Sequence, residues 1–362
     1  MTSLSNSSCL SESSAGLHLI AGPGACRSIT GSIGLLLALD WFGYRNFSTV
    51  GGISGGSIPL CLFAEGLSIE EIVEMAMNLD FQSLLDQDGK LTSVMLEHCW
   101  QSRYKGELPA RGKFHMRRFA SWLDDKFQRR WPVAFPYWTM ATDASGAQIL
   151  FTIDGVFRRE KGEEFVRLSR MTPDLGAAIC ASCTIPGFFA PCKVELETGE
   201  VLTLYDGALS WESMRPVSLV QDFYSAKPAD VILFDVGPEI NRCDRMFNAA
   251  WGLLCGGRCV PPRGFDSSRH SGVVMVLPVV TRLRSFDFAA HSDKKWTAVM
   301  ECFAATVFAL NNAYRLTEQQ FAEAKDLLAA YNGFSSVFQR LDVGELSVRT
   351  RNLLIERGVL GA

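Results

Sequence analysis

Thr49-Val50-Gly51-Gly52-Ile53-Ser54-Gly55-Gly56-Ser57-Ile58-Pro59-Leu60 reads as a strand running into a glycine turn and then a helix. Within it, Gly52-Ile53-Ser54-Gly55-Gly56 matches G-x-S-x-G, the elbow that lifts a serine hydroxyl clear of a sheet. Gly52, Gly55 and Gly56 permit such a turn because a Cβ there would meet neighbouring backbone. A helix beginning at Ser54 would aim free N–H groups and the positive end of its dipole at the hydroxyl. In a chain with 31 glycines the five-residue pattern alone is weak, so context decides. Phe47 to Val50 open an apolar run upstream, and the apolar segment Ile58 to Ala64 closes at Gly66 as a helix C-cap would. Ser54 is therefore a candidate nucleophile.

The 362 residues, 48% of them hydrophobic, suffice for the core of one large α/β domain or two smaller ones. A net charge of −4 without a long basic run gives no reason to expect nucleic acid. Residues 1–16 are polar, lack the basic end and apolar centre of a secretory signal, and read as a disordered tail. No apolar run approaches ~20 residues, so no transmembrane helix is expected, while a surface-bound protein stays open. The 11 cysteines are scattered, and Cys61, Cys180 and Cys302 sit among apolar residues, which suits reduced core thiols in a cytoplasmic protein. Cys255 and Cys259 have no histidine cluster near them, and a metal or redox role there is the lesser reading.

Upstream of the elbow, Leu17 to Ala21 reads as a first strand. It enters the glycine loop Gly22-Pro23-Gly24-Ala25-Cys26-Arg27-Ser28, and an apolar helix follows from Ile33 to Trp41. That order exposes backbone N–H groups at a helix start, an anion-binding turn. Neither G-x-G-x-x-G nor G-x-x-x-x-G-K-[ST] is present, so an oxyanion hole is preferred to a nucleotide site. One βαβ crossover would bring the loop beside Ser54. Downstream, Asp206 follows an apolar strand and precedes Gly207, which sets a carboxylate at a strand end opening onto a cleft. A serine hydroxyl needs such a base within hydrogen-bond reach, so Asp206 is the candidate.

The glycine loop, the helix ending Ala38-Leu39-Asp40-Trp41-Phe42-Gly43 and the G-x-S-x-G after the second strand together resemble the patatin-like phospholipases. Further blocks follow in that family's order. They are Ala64 to Ile72, with Ser68 and Glu71 as a capping box; Trp138 to Asp143, then a turn and the strand Gln148 to Ile153; Ala181-Ser182-Cys183-Thr184-Ile185-Pro186-Gly187-Phe188-Phe189; Asp206-Gly207-Ala208; and Ala229 to Val236. The resemblance spans roughly Leu17 to Pro238. It implies a three-layer α/β sandwich with a mostly parallel central sheet. It also implies a Ser54–Asp206 dyad without histidine, N–H groups around Gly22, Gly24 and Ala25 holding the oxyanion, and hydrolysis of lipid acyl esters through an acyl-enzyme. The sequence departs from the family where Pro23, which has no N–H to donate, interrupts the loop. The stretch from Asp206 to Pro216, with Trp211 and Met214 in it, is about two residues longer than the family form and reshapes the expected acyl pocket.

Beyond Gly237 the resemblance fades. Phe247 to Phe265 is a loop or lid candidate, and Val273 to Val280 reads as a buried strand. Trp296, Val299, Met300, Phe303, Val307, Leu310 and Tyr314 fall on one helix face. Thr317 with Gln320 caps a following helix that stops at Asn332-Gly333, and a last helix ends before Gly358. The expected organisation is a tail (1–16), a catalytic domain (17–280) and a helical extension packed on it (281–362), with an oligomer or regulatory partner on those helices. Two other functions compete: an α/β-hydrolase triad using His270 or His291, and a non-catalytic lipid-binding or signalling module. One strand ahead of Ser54 leaves no room for the oxyanion loop the triad fold needs after its third strand. No D-x-D-x-D-G loop occurs, so neither calcium nor another cofactor is expected, and the expected partner is a membrane lipid or acyl ester at a membrane surface.

Overall fold

In this computed structural model the described residues are 16–87, 108–212, 215–236, 271–278, 280 and 283–324. The tail up to residue 15, Met214, the lid candidate with Cys255 and Cys259, His270, and the helix ends at Asn332-Gly333 and Gly358 lie outside them.

Five strands form the parallel heart of a ten-stranded sheet: β1 (Leu17–Ala21), β2 (Phe47–Ile53), β5 (Tyr137–Asp143), β12 (Val231–Phe234) and β13 (Val274–Val276), in the order β13-β12-β1-β2-β5. Their near-continuous apolar sequences suit strands covered on both faces. Side chains alternate between two cores: Leu19, Ala21, Ile232 and Phe234 face one, and Ile20, Val231 and Leu233 the other. Past β5 the sheet runs antiparallel through β6 (Gln148–Thr152), β7 (Gly155–Arg159) and β8 (Val166–Ser169), while β10 (Cys192–Glu195) and β11 (Val201–Asp206) form a hairpin off the main path. A small second sheet joins β3 (Asp86–Gln87), β4 (Gly112–His115) and β9 (Gly187–Phe189).

Helix α1 (Ala25–Trp41) starts eight residues ahead of the apolar stretch that announces it, because its first two turns are small and polar (Cys26, Ser28, Thr30, Ser32) yet buried. With α2 (Ser57–Ala64), α3 (Ile69–Asn78), α4 (Arg117–Lys126) and α5 (Leu175–Ser182) it packs on the larger core, and α6 (Val217–Tyr224) covers the other face. Helix α7 (Ser292–Asn312) lies on α1, with Val299, Met300, Phe303, Val307 and Leu310 in the same core as Leu35 and Leu39. Its Lys295 Nζ reaches the carbonyls of Ala76, Met77 and Leu79 at 3.0–3.3 Å, a cation at the negative end of α3. Both capping boxes form, Ser68 with Glu71 and Thr317 with Gln320. Tyr314 is not on the helix face expected of it: the chain turns left-handed there (φ 56°), after α7 has ended, and leaves the ring 95% exposed.

Candidate active site

Strand β5 is the ruler on which the site is set. Its first half pairs with β2 as far as Ile53 opposite Met140, and its second half pairs with β11, ending with Asp206 opposite Ala141. The ends of β2 and β11 therefore meet along one edge of β5, from opposite directions. Ser54 is the residue after one strand, and Asp206 is the last residue of the other.

Ser54 adopts φ 54°, a left-handed conformation costly for a non-glycine residue and held only by its surroundings. Its N–H donates to Ser182 Oγ (2.8 Å), whose hydroxyl donates to Met140 O (2.6 Å), tying the elbow to β5. Its carbonyl accepts from Ser57 Oγ at 2.5 Å. A Cβ on Gly55 would lie 2.3 Å from Ala25 O, so the glycine is what lets the elbow press against the loop ahead of α1. The turn from Ser54 to Gly56 is a single 3-10 turn, and the α-helix begins at Ser57, not at Ser54 as expected.

The Ser54 hydroxyl donates to Asp206 Oδ2 at 2.7 Å. The other carboxylate oxygen accepts from Ala208 N–H (2.8 Å), and Asp206 N–H donates to Thr184 O (2.8 Å). Gly207 is needed because a Cβ would fall 2.2 Å from Met140 O. Ser54 is 4% exposed and Asp206 1%. Burial pushes the Asp206 carboxyl up to about 7, against the opposing hydrogen bonds from Ala208 and Ser54. Cys183, whose sulfur is 3.8 Å from Ser57 Oγ, is held protonated by burial and by the Asp206 charge, so it is no rival nucleophile.

The glycine loop abuts the elbow but does not use its N–H groups alike. Gly22 N–H is spent on Phe234 O (2.8 Å) within the sheet, which removes it from the expected set of oxyanion donors. Cys26 N–H donates to Ser285 O at 3.0 Å. Among the described residues nothing accepts from Gly24 or Ala25, whose N–H groups stay unspent at the start of α1. Arg27, buried, donates to Val236 O at 3.0 Å and pins the turn from below. His18 bonds Thr49 at the far end of β1 (2.8 Å), and His291 is exposed ahead of α7, so the hydroxyl of Ser54 is paired with a carboxylate and not with either histidine.

The sequence pattern of the patatin-like phospholipases matches residues 20–220, more than half of the chain. The chain belongs to the patatin-like phospholipase family. Solved structures similar to it include VipD from Legionella pneumophila (13% identity, TM-score 0.49, covering 94% of this chain and 79% of that one). The type III effector ExoU follows at 10% identity and TM-score 0.38, with 96% and 70% covered. Human group IVD cytosolic phospholipase A2, in complex with a fluorophosphonate inhibitor, gives 13%, 0.38, 86% and 59%. No curated protein matches. This patatin-like chain has the large α/β sheet with surrounding helices that its family membership implies.

Two supporting residues had no role assigned from sequence, Ser182 and Thr184. Both stand in the quoted Ala181 to Phe189 block, where the family motif marks the place and only the geometry shows the work. Arg159 left no such signal. Buried on β7, it donates to Gln148 (2.8 Å), Asp222 (2.6 Å), Ser218 (3.2 Å) and Glu212 (3.4 Å), and stacks near Phe165 and Trp211, fastening the segment that follows Asp206.

Proposed function

We propose that this patatin-like protein is a lipid acyl hydrolase in which Ser54 is the nucleophile and Asp206 its base. The observation that carries the reading is the 2.7 Å bond between a strained, buried serine hydroxyl and a carboxylate poised near 7. A base titrating there is ionised enough to accept the serine proton yet acidic enough to return it. As Ser54 Oγ attacks the ester carbonyl carbon, its proton passes to Asp206, and the oxyanion takes the N–H groups of Gly24 and Ala25. Collapse expels the alcohol, which leaves with the proton from Asp206 and deposits the acyl group on Ser54. Water then attacks the acyl-enzyme, Asp206 takes its proton and returns it to Ser54 Oγ as the bond from that oxygen to the acyl carbon breaks, and the fatty acid departs with the enzyme restored. The substrate is met at a membrane surface, and among the described residues no helix is long and apolar enough to cross one. We take residues 17–280 as the catalytic unit and 281–362 as its helical cover, since α7 shares the core of α1.

Ser54→Ala, Asp206→Asn, His270→Ala and His291→Ala, measured for kcat/KM on a p-nitrophenyl ester with circular dichroism confirming the fold, test this. Ser54→Ala loses all turnover, Asp206→Asn falls on the order of 10²–10⁴-fold, and both histidine variants stay within a small factor of the parent. A histidine variant as dead as Ser54→Ala beside an active Asp206→Asn would replace the dyad with a triad.

A further inference from the structure

A cavity of about 390 Å³ is lined by neither Ser54 nor Asp206. Its size falls within the roughly 300–1,000 Å³ usual for ligand sites. Four phenylalanines wall it: Phe188 lies 5.2 Å from Phe114 and from Phe286, and 5.7 Å from Phe288, centre to centre. Phe286 and Phe288 stay only partly buried, so apolar surface is kept facing the space. Lys113 and Lys294 line the same cavity with Asp287 and His291. The Lys113 ammonium sits 4.6 Å over the Phe114 ring and has no carboxylate partner among the described residues. Lys294 is 3.8 Å from Asp287, whose carboxylate also accepts from Arg284 N–H (3.2 Å). Two ammonium groups thus line the cavity, of which Lys294 alone is paired with its one carboxylate, Asp287.

The walls are bonded to the catalytic frame on both sides. Phe286 follows Ser285, whose carbonyl takes Cys26 N–H (3.0 Å) one residue beyond Ala25. Phe188 follows Thr184 by four residues, and Thr184 O takes Asp206 N–H (2.8 Å). We propose that the cavity is the subsite for the half of a substrate phospholipid that carries an anionic headgroup, with hydrocarbon on the phenylalanines and the phosphate on Lys113 and Lys294. The inference rests on the acyl hydrolase reading and names its substrate class, since the headgroup cation of a zwitterionic lipid would be set against the two lysines, whereas a singly anionic glycerol headgroup would not.

The test compares kcat/KM on phosphatidylglycerol and phosphatidylcholine in micelles of one neutral detergent. The parent prefers phosphatidylglycerol; Lys113→Gln/Lys294→Gln lowers that preference roughly tenfold, and Lys113→Arg/Lys294→Arg keeps it. No preference in the parent, or one unchanged in the glutamine variant, overturns the proposal. Tryptophan-fluorescence titration of full-length Ser54→Ala with the same micelles separates the two readings. A parent that hydrolyses neither lipid, while Ser54→Ala binds phosphatidylglycerol through the lysines, defeats the hydrolase reading and leaves the subsite. Equal hydrolysis of both lipids defeats the subsite and leaves the hydrolase.

Discussion

Ser54 and Asp206 touch, but opposite means hold them. On the serine side the work is done by backbone: a left-handed residue, glycines too close to their neighbours to carry a Cβ, and two short hydroxyl side chains. On the aspartate side, the carboxylate ends a strand, and the segment after it is fastened through side chains that Arg159 on β7 gathers from β6, α6 and the loop ahead of α6. Gln148, one of these, passes the link on to Ser210 at 3.3 Å. Backbone crowding tolerates no exceptions, whereas a polar network spreads its load over several partners, so damage to the two sides should differ in size.

The largest effect is expected from Gly55→Ala. Its new methyl must displace Ala25 O, a backbone atom that cannot swing aside, so the elbow and the loop bearing the Gly24 and Ala25 N–H groups separate. We expect kcat to fall on the order of 10²-fold with KM little changed, because the lost geometry serves the transition state. Steady-state kinetics on a soluble ester decide it; a variant within about twofold of the parent would mean that the loop does not hold the oxyanion.

Arg159→Met comes next. The neutral chain fills the space but leaves Gln148 Oε1 and Ser218 Oγ short of a donor, a stability loss on the order of 1–3 kcal/mol. Loosening the segment beyond Asp206 admits water to the carboxylate and relieves the burial that raises it. The midpoint of the pH–rate profile should therefore move down from about 7, with kcat reduced about tenfold. Arg159→Lys should rescue little, since one ammonium cannot serve four acceptors held in a planar fork. A variant that is merely less stable, with an unmoved midpoint, would make Arg159 structural only.

The same contrast explains what the sequence could disclose. Gly52-Ile53-Ser54-Gly55-Gly56 and Asp206-Gly207 are legible because crowding demands glycine at fixed offsets from the functional residue, and β1 reads at once because its strand is buried on both faces. Arg159 is silent because its partners lie at 148, 212, 218 and 222, a set that only the sheet and α6 bring together. The first turns of α1 are missed for a related reason: Ser28 and Ser32 look like loop residues, yet α1 is buried on all sides, and Ser28 Oγ finds Gly22 O at 2.6 Å. Gly22 enters the oxyanion set only through the family resemblance, and the pairing with Phe234 reveals that its N–H is taken.

The smallest effect is on stability, and its sign opposes that on activity. Folding buries Asp206 and raises its carboxyl from an ordinary value of 3.8 to about 7, so between those limits the folded protein keeps a proton that the unfolded chain has released. Stability contributed by that proton is full below about pH 4 and is lost as pH rises through about 7. The base must be ionised to act, so kcat/KM should climb over the upper part of the same range. Asp206→Asn removes the titration: it should unfold at a higher denaturant concentration than the parent at about pH 8, by a few kcal/mol at most, and the gap should shrink toward about pH 5. Urea midpoints of the two proteins at both values, set beside the parent's pH–rate profile, check this. A parent equally or more stable than Asp206→Asn at the alkaline end would show that Ala208 N–H and the Ser54 hydroxyl outweigh burial, and that the carboxylate is no strained base.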